Sequence, residues 1–330
     1  MEKTKRLDYI DALKGFAILL VVMGHVLAGY YPSYKDALDA NSQGMILWRV
    51  IYSFHMPLFM FCSGFVFYKT KVFFSTKNTA SLISKRFKGL MIPYFVMGLI
   101  YHLLTGDLFV YWYLYVLFVF YLITSIIKWG MSRFKWWSNY VDSFFFIFFS
   151  VFIWLLCRKF HYMENLPLGD FDHFSLYIYF IFGMVARKHE WHLVLVTRNI
   201  FFLISAVLFF TLCLAKFNVI TLPTTKLFLL LPFAAIFSFL HYFQTIDNGG
   251  KLFYLFQKLG KFSLEIYILH FFFLTKIPWE GTLDLLTCRT SIVLQFVSSL
   301  LLSAINIFIC FIIISFISKS SLLNKILFGR

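Results

Sequence analysis

Lys14 and His25 stand eleven residues apart in one apolar run that begins Asp8-Tyr9-Ile10-Asp11-Ala12-Leu13-Lys14-Gly15 and reaches Gly24-His25. At about 1.5 Å and 100° per helical residue, this spacing puts a cation and an imidazole on nearly one face, about 16 Å apart along the axis. An ionisable group inside a lipid-facing span costs several kcal/mol, so each one is read first as functional. An imidazole titrates near neutrality and is suited to taking a proton from an attacking hydroxyl. Burial disfavours its charged form, and a nearby carboxylate restores its basicity. Two more histidines share the setting. His55 lies in Tyr52-Ser53-Phe54-His55-Met56-Pro57, at a depth comparable with His25 when counted from the other end, and His270 closes a run that also carries Ser263, Glu265 and Tyr267. Ahead of another run stands Ser84-Lys85-Arg86-Phe87-Lys88. Clustered Lys and Arg of this kind hold the phosphates of nucleotide-bearing ligands.

Each feature also has a plainer reading. Lys14 serves equally as a snorkelling side chain paired with Asp11 or Asp8. His25 reads as a buried neutral histidine bonded to a neighbouring helix, and Lys85, Arg86 and Lys88 as an ordinary basic flank. Trp112, beside Tyr113, reads as an interfacial anchor. Asp172-His173 falls at the mouth of a further run, and Pro57 frees a backbone carbonyl that suits a cavity wall. The five cysteines share no metal-like spacing, so neither a metal site nor a disulfide framework is expected.

The elements that must position these groups follow from composition. The 330 residues are 61% hydrophobic and only 14% charged, with 46 Phe, too few polar side chains to cover a surface in water. Lipid is the solvent that fits. A spanning helix needs about 20 largely apolar residues, and such stretches occur at 11–31, 46–68, 89–104, 109–127, 143–157, 171–186, 199–216, 227–243, 262–277 and 291–317. The fold class expected is an all-α integral membrane protein, a bundle of about ten transmembrane helices in a single domain over 1–330.

With alternate loops assigned to opposite sides, most of the 30 lysines and arginines fall on the side that holds both termini. They include Lys3, Lys69, Lys85, Lys128, Arg187, Lys258 and Lys325. Both termini are therefore expected in the cytoplasm. The net charge of +15 is spread over short loops rather than gathered on one face, so no nucleic-acid partner is expected. The basic start resembles a signal peptide, but 26–31 lack a small-x-small cleavage pattern, so the segment is expected to be retained.

These residues resemble the membrane-bound acyltransferase family 3, which includes bacterial O-acetyltransferases of surface polysaccharides. Tyr9-Ile10-Asp11-Ala12-Leu13-Lys14-Gly15 through His25 is similar to the family's first-helix pattern, with Lys14 where arginine is usual. That replacement keeps the charge and loses the bidentate fork. Phe54-His55-Met56-Pro57-Leu58-Phe59 through Ser63-Gly64 resembles its second-helix motif. Lys85-Arg86 through Ile92-Pro93 resembles its basic segment, and Trp112-Tyr113-Leu114 and Gly260-x-x-Ser263 through Tyr267 and His270 resemble later landmarks. The resemblance covers nearly the whole chain and implies a membrane-only member, without the extra esterase-like domain that some relatives carry.

The resemblance further implies a cytoplasmic acyl-CoA donor, most often acetyl-CoA. It implies a hydroxyl acceptor on a sugar, a cell-surface glycan or a lipid-linked glycan, in a bacterial inner membrane. His25 and His55 are the expected catalytic residues, with His25 as base or acyl carrier. Lys14, Lys85, Arg86 and Lys88 are expected to hold the CoA phosphates. Asp11, Ser63, Trp112, His173, Ser263, Glu265 and His270 are expected to line the substrate cavity. The bilayer is a partner throughout, and a separate extracytoplasmic protein could complete the transfer. The rival class is a transporter or exporter of a small acid or glycan, which also uses buried His, Glu and Lys but would show paired repeats. None is found in the sequence.

Overall fold

A computed structural model describes residues 7–28, 46–68, 74–107, 110–134, 139–159, 171–191, 199–216, 220–221, 225–246, 250–274 and 292–329. Among these residues the protein is helical, with no strand. Its α-helices are α1 (Asp8–Ala28), α2 (Ile46–Phe67), α3 (Thr76–Arg86), α4 (Ile92–Thr105), α5 (Trp112–Met131), α6 (Asn139–Lys159), α7 (Tyr177–Lys188), α8 (Asn199–Lys216), α9 (Leu231–Thr245), α10 (Lys251–Lys261), α11 (Ser263–Leu269), α12 (Phe271–Leu274), α13 (Ile292–Ile317) and α14 (Ser321–Phe328). A π-turn at Phe87–Met91 joins α3 to α4 without ending the rod, and 3₁₀ turns precede α7 and α9.

Among the described residues, eight stretches are long and apolar enough to cross a membrane, matching eight of the ten expected spans. The sixth and ninth differ. The sixth is a 3₁₀ turn, Phe171–Leu176, followed by the 12 residues of α7. The ninth, Ser263–Leu274, is shorter and has an irregular turn at His270, between α11 and α12, where the backbone keeps right-handed helical angles; residues 275–277 of the expected span lie outside the described residues. The outward faces are apolar as lipid demands: Phe144 and Phe148, one turn apart on α6, are each 75% exposed.

The chain divides into two compact units. The first holds Met1–Phe59 and Trp191–Ile313, the second Met60–Glu190 and Ile314–Arg330. In the first, α1 packs along α10 at a crossing made by two glycines. A Cβ on Gly15 would collide with the carbonyl oxygen of Phe256, and one on Gly260 with that of Asp11. Small residues at such a crossing let two backbones approach in a setting where no hydrophobic effect drives helices together. Gln257 donates a side-chain hydrogen bond to Asp8 beside it. Gly260→Ala is expected to lower stability by about 1–3 kcal/mol, because a backbone rather than a side chain blocks the new methyl. Melting curves in detergent should show the loss, with Gly130→Ala as the control, since a Cβ at Gly130 meets nothing within 4 Å.

The second unit has its own glycine pair: a Cβ on Gly64 would strike the Phe180 carbonyl oxygen, and one on Gly183 that of Phe61. A buried charge cluster ties three helix ends of the same unit. Asp142 Oδ2 lies 3.0 Å from Lys128 Nζ and 2.6 Å from Lys188 Nζ, all three side chains at most 9% exposed. Lys188 also donates to Ser143 Oγ at 3.1 Å, and Ser143 Oγ lies 2.7 Å from His189 Nε2. Burial and the neighbouring Lys188 charge hold His189 below its ordinary value of 6.5, against a smaller opposing pull from Asp142. The fold therefore favours neutral His189, and its contribution is complete above pH 6.5 and lost as the pH falls toward the folded value. Stability should decline on acidification below 6.5, and His189→Gln should flatten that decline in detergent-solubilised protein.

Candidate active site

The geometry around His25 begins with a hydrophobic cluster of the first unit. Leu20, Met23 and Leu27 of α1 pack with Trp48, Ile51 and Phe54 of α2, on Leu212, Cys213, Leu231 and Ala235. This cluster fixes the register between the C-terminal half of α1 and the N-terminal half of α2, so the polar side chains between them have little freedom. Gly24 makes room for Tyr52, whose Cε2 would lie 2.7 Å from a Cβ there.

Tyr52 is the bridge. Its ring lies 4.1 Å from Trp48 and 4.8 Å from His55, at i−4 and i+3 on the same helix face. Its hydroxyl lies 3.4 Å from His25 Nδ1, a long contact. His25 is half-buried, and its ring centre lies 4.7 Å from Phe271 and 5.3 Å from His270. Two of the three histidines have one nitrogen committed. His55 Nδ1 meets the Ile51 carbonyl at 2.8 Å, and His270 Nδ1 meets the carbonyls of Tyr267 at 2.8 Å and Ile266 at 3.1 Å. A carbonyl only accepts, so each Nδ1 carries the proton and each Nε2 presents a lone pair.

The irregular turn at His270 has the same origin. The His270 ring takes carbonyls at the end of α11, and Asn306 Nδ2 of α13 donates to the His270 carbonyl at 3.1 Å. Irregular backbone at membrane depth is tolerated where protein groups satisfy it, as these do. His25, Tyr52, His55, His270 and Phe271 thus form one cluster within the first unit.

The other expected site residues fall in two groups. In the first unit, Asp11 is buried, Lys14 is half-buried one turn further along α1, and Ser263 and Glu265 are buried on α11. The uninterrupted α1 keeps Lys14 and His25 about 16 Å apart along its axis. In the second unit, Ser63 Oγ lies 3.1 Å from the Tyr113 hydroxyl, and Tyr121 donates to the Ser63 carbonyl at 3.3 Å. The Arg86 guanidinium lies 4.2 Å above the Tyr121 ring, a cation–π contact, while Lys85 and Lys88 are exposed. Trp112 and His173 stack with ring centres 3.7 Å apart. A cavity of about 260 Å³ in the same unit is lined by Tyr94, Tyr101, Tyr111, His102 and Asp107 among others. Among the described residues no group of three metal-ligating side chains occurs.

Tyr52 and Phe271 are site residues that sequence reasoning missed. The available signal was spacing: Tyr52 precedes His55 by three residues and so shares its face. Asp142 with Lys128 and Lys188 was also missed, and no sequence pattern marks it.

The described residues thus form an all-helical membrane protein in which His25 and His55 of the first two helices meet His270 in one cluster. The family model of the acyltransferase 3 domain matches residues 7–319, and the chain belongs to that family of membrane acyltransferases. Neither the curated proteins nor the solved structures returned a match.

Proposed function

We propose that the protein transfers an acyl group, acetyl above all, from cytoplasmic acyl-CoA to a hydroxyl of a sugar or glycan, free or lipid-linked, at the bacterial inner membrane. Both termini face the cytoplasm in this reading, as the distribution of Lys and Arg favours. The observation that carries it is His25, set between Tyr52 and His270 in a family of acyltransferases. In this reading His25 takes the tautomer in which Nδ1 carries the proton toward the Tyr52 oxygen and Nε2 offers its lone pair to the reaction.

The hydroxyl oxygen bonds to the acyl carbon, the thioester C–S bond breaks, and CoA leaves as the thiolate that finally receives the hydroxyl proton. His25 acts at that carbon, as base or as acyl carrier. His55 holds Tyr52, and through it the imidazole. Lys14, Lys85, Arg86 and Lys88 are assigned to the phosphates of CoA. Lys14 would contact a phosphate as a point charge, without the fork of an arginine.

The test is transfer of label from radiolabelled acetyl-CoA into glycan, lipid and small-molecule fractions, using membrane vesicles of known sidedness. Label that moves into one fraction, and needs the chain, supports the reading and names the acceptor class. Vesicles in which the chain neither binds acetyl-CoA nor moves label would overturn it.

A further inference from the structure

The His270 imidazole is fully buried, its Nδ1 is committed to two carbonyls, and its Nε2 has no hydrogen-bond partner among the described residues. A buried acceptor left bare is destabilising, so its persistence asks for a group that fills it. Among several such atoms in the same unit, two lie on α13. They are Gln295 Oε1 and Ser303 Oγ, on side chains 1% and 0% exposed. Gln295, Ser299, Ser303 and Asn306 follow one another at intervals of four, four and three residues, which places them on a single face of α13. All four are buried. Ser299 is satisfied by its own helix, through the Phe296 carbonyl at 3.1 Å, and Asn306 by the His270 carbonyl. The stripe spans about 16 Å of helix and ends at His270, whose carbonyl Asn306 holds and whose ring centre lies 5.3 Å from that of His25.

Resting on the acyl-transfer reading, we infer that this stripe is the site for a polyhydroxylated acceptor, and that His270 Nε2 is the base that takes the proton of its attacking hydroxyl. On the orientation proposed above, Gln295 lies toward the outer face. A glycan entering from that side meets Gln295, then Ser303, and presents a hydroxyl to His270. The O–H bond breaks as the oxygen bonds to the acyl carbon. The bond from that carbon to its carrier, the thioester sulfur or a His25 nitrogen, gives its electron pair back to the carrier. The proton rests on His270 Nε2 and passes to the CoA thiolate. With the hydroxyl proton received there, His25 is left to act on the donor side.

The test uses the full chain, with radiolabelled acetyl-CoA as donor and the accepting fraction from the assay above, titrated by hexose content. Ser303→Val removes Oγ and Gln295→Leu removes Oε1, the two atoms without a partner among the described residues, so melting in detergent should be unchanged or improved. Each should raise the KM for acceptor roughly two- to tenfold, with acetyl-CoA binding unchanged. His270→Asn keeps an amide N–H where Nδ1 donates and removes Nε2. It should lower kcat roughly 10²-fold or more while acetyl-CoA still binds. His270→Gln offers a hydrogen bond but no basic nitrogen near the Nε2 position, and should remain as slow. Unchanged acceptor KM in both α13 variants would remove the stripe from the acceptor site. A His270→Asn enzyme near the wild-type rate, or full rescue by His270→Gln, would remove the base. Failure of the wild type to bind acetyl-CoA is the separate result that overturns the acyl-transfer reading itself.

Discussion

Asp142→Asn is expected to destabilise the protein by about 3–5 kcal/mol, the cost of breaking a buried ion pair and leaving its partner charges uncompensated. Two ammonium groups meet one carboxylate oxygen, at 3.0 and 2.6 Å, and neither lysine is more than 9% exposed at its side chain. The Lys128 ammonium has aromatic rings around it, with Phe146 at 5.3 Å, Phe74 at 5.6 Å and Tyr68 at 5.8 Å. These faces attract a cation weakly compared with a carboxylate. The measurement is a melting curve of detergent-solubilised protein for Asp142→Asn. Beside it belongs the triple variant Lys128→Met, Asp142→Leu and Lys188→Met. An apolar trio removes the desolvation penalty together with the attraction, so it should melt above the single variant. A single variant that melts with the wild type would show that the cluster contributes little.

His25→Ala is expected to lower acyl transfer by roughly 10³-fold or more, as loss of a group acting on the reacting atoms does. The fold should survive. His25 is half-buried and its contact with Tyr52 is long, so truncation costs packing against Phe271 and His270 rather than a network. The readout is label transfer from acetyl-CoA, with melting temperature and membrane insertion as controls. Wild-type transfer by a folded His25→Ala protein would remove His25 from the chemistry. Loss of transfer with a collapsed melting temperature would be resolved with His25→Gln, which fills the same volume with a polar group.

Much of this arrangement was legible because lipid simplifies the code. An apolar run of about 20 residues has few alternatives to a spanning helix, so eight spans follow from composition alone. The expense of an ionisable group in lipid singled out His25, His55 and His270 before any geometry was known. The ninth span was less legible. Its apolar run reads as continuous, and the irregular turn at His270 appears only with the contacts made there: the ring on the Ile266 and Tyr267 carbonyls, and Asn306, 36 residues on, donating to the His270 carbonyl. Lys128, Asp142 and Lys188 were hidden by a correct general rule. Cations at cytoplasmic loop ends are expected as topological signals, so their pairing with a carboxylate 14 and 46 residues away carries no mark in the sequence. Gly15 and Gly260 were visible as motif positions, but their function as a crossing point depends on the register of two distant helices. Tyr52 was hidden by abundance: in a chain that is 22% aromatic, one tyrosine near a membrane surface looks like any other.

The Lys128–Asp142–Lys188 cluster also orders events during synthesis. Chains emerge from the N-terminus and their early parts fold first. Lys128, at the end of α5, and Asp142, at the start of α6, reach the membrane as neighbours in one hairpin and form a neutral pair. Lys188, the second cation on the Asp142 carboxylate, is synthesised 46 residues after it, at the end of α7. Away from that carboxylate α7 has an ammonium group and no buried counter-charge, so the third helix is recruited to the hairpin rather than released into the bilayer. A ribosome-stalled chain ending before Lys188 is therefore expected to keep only the Lys128–Asp142 half of this three-helix contact.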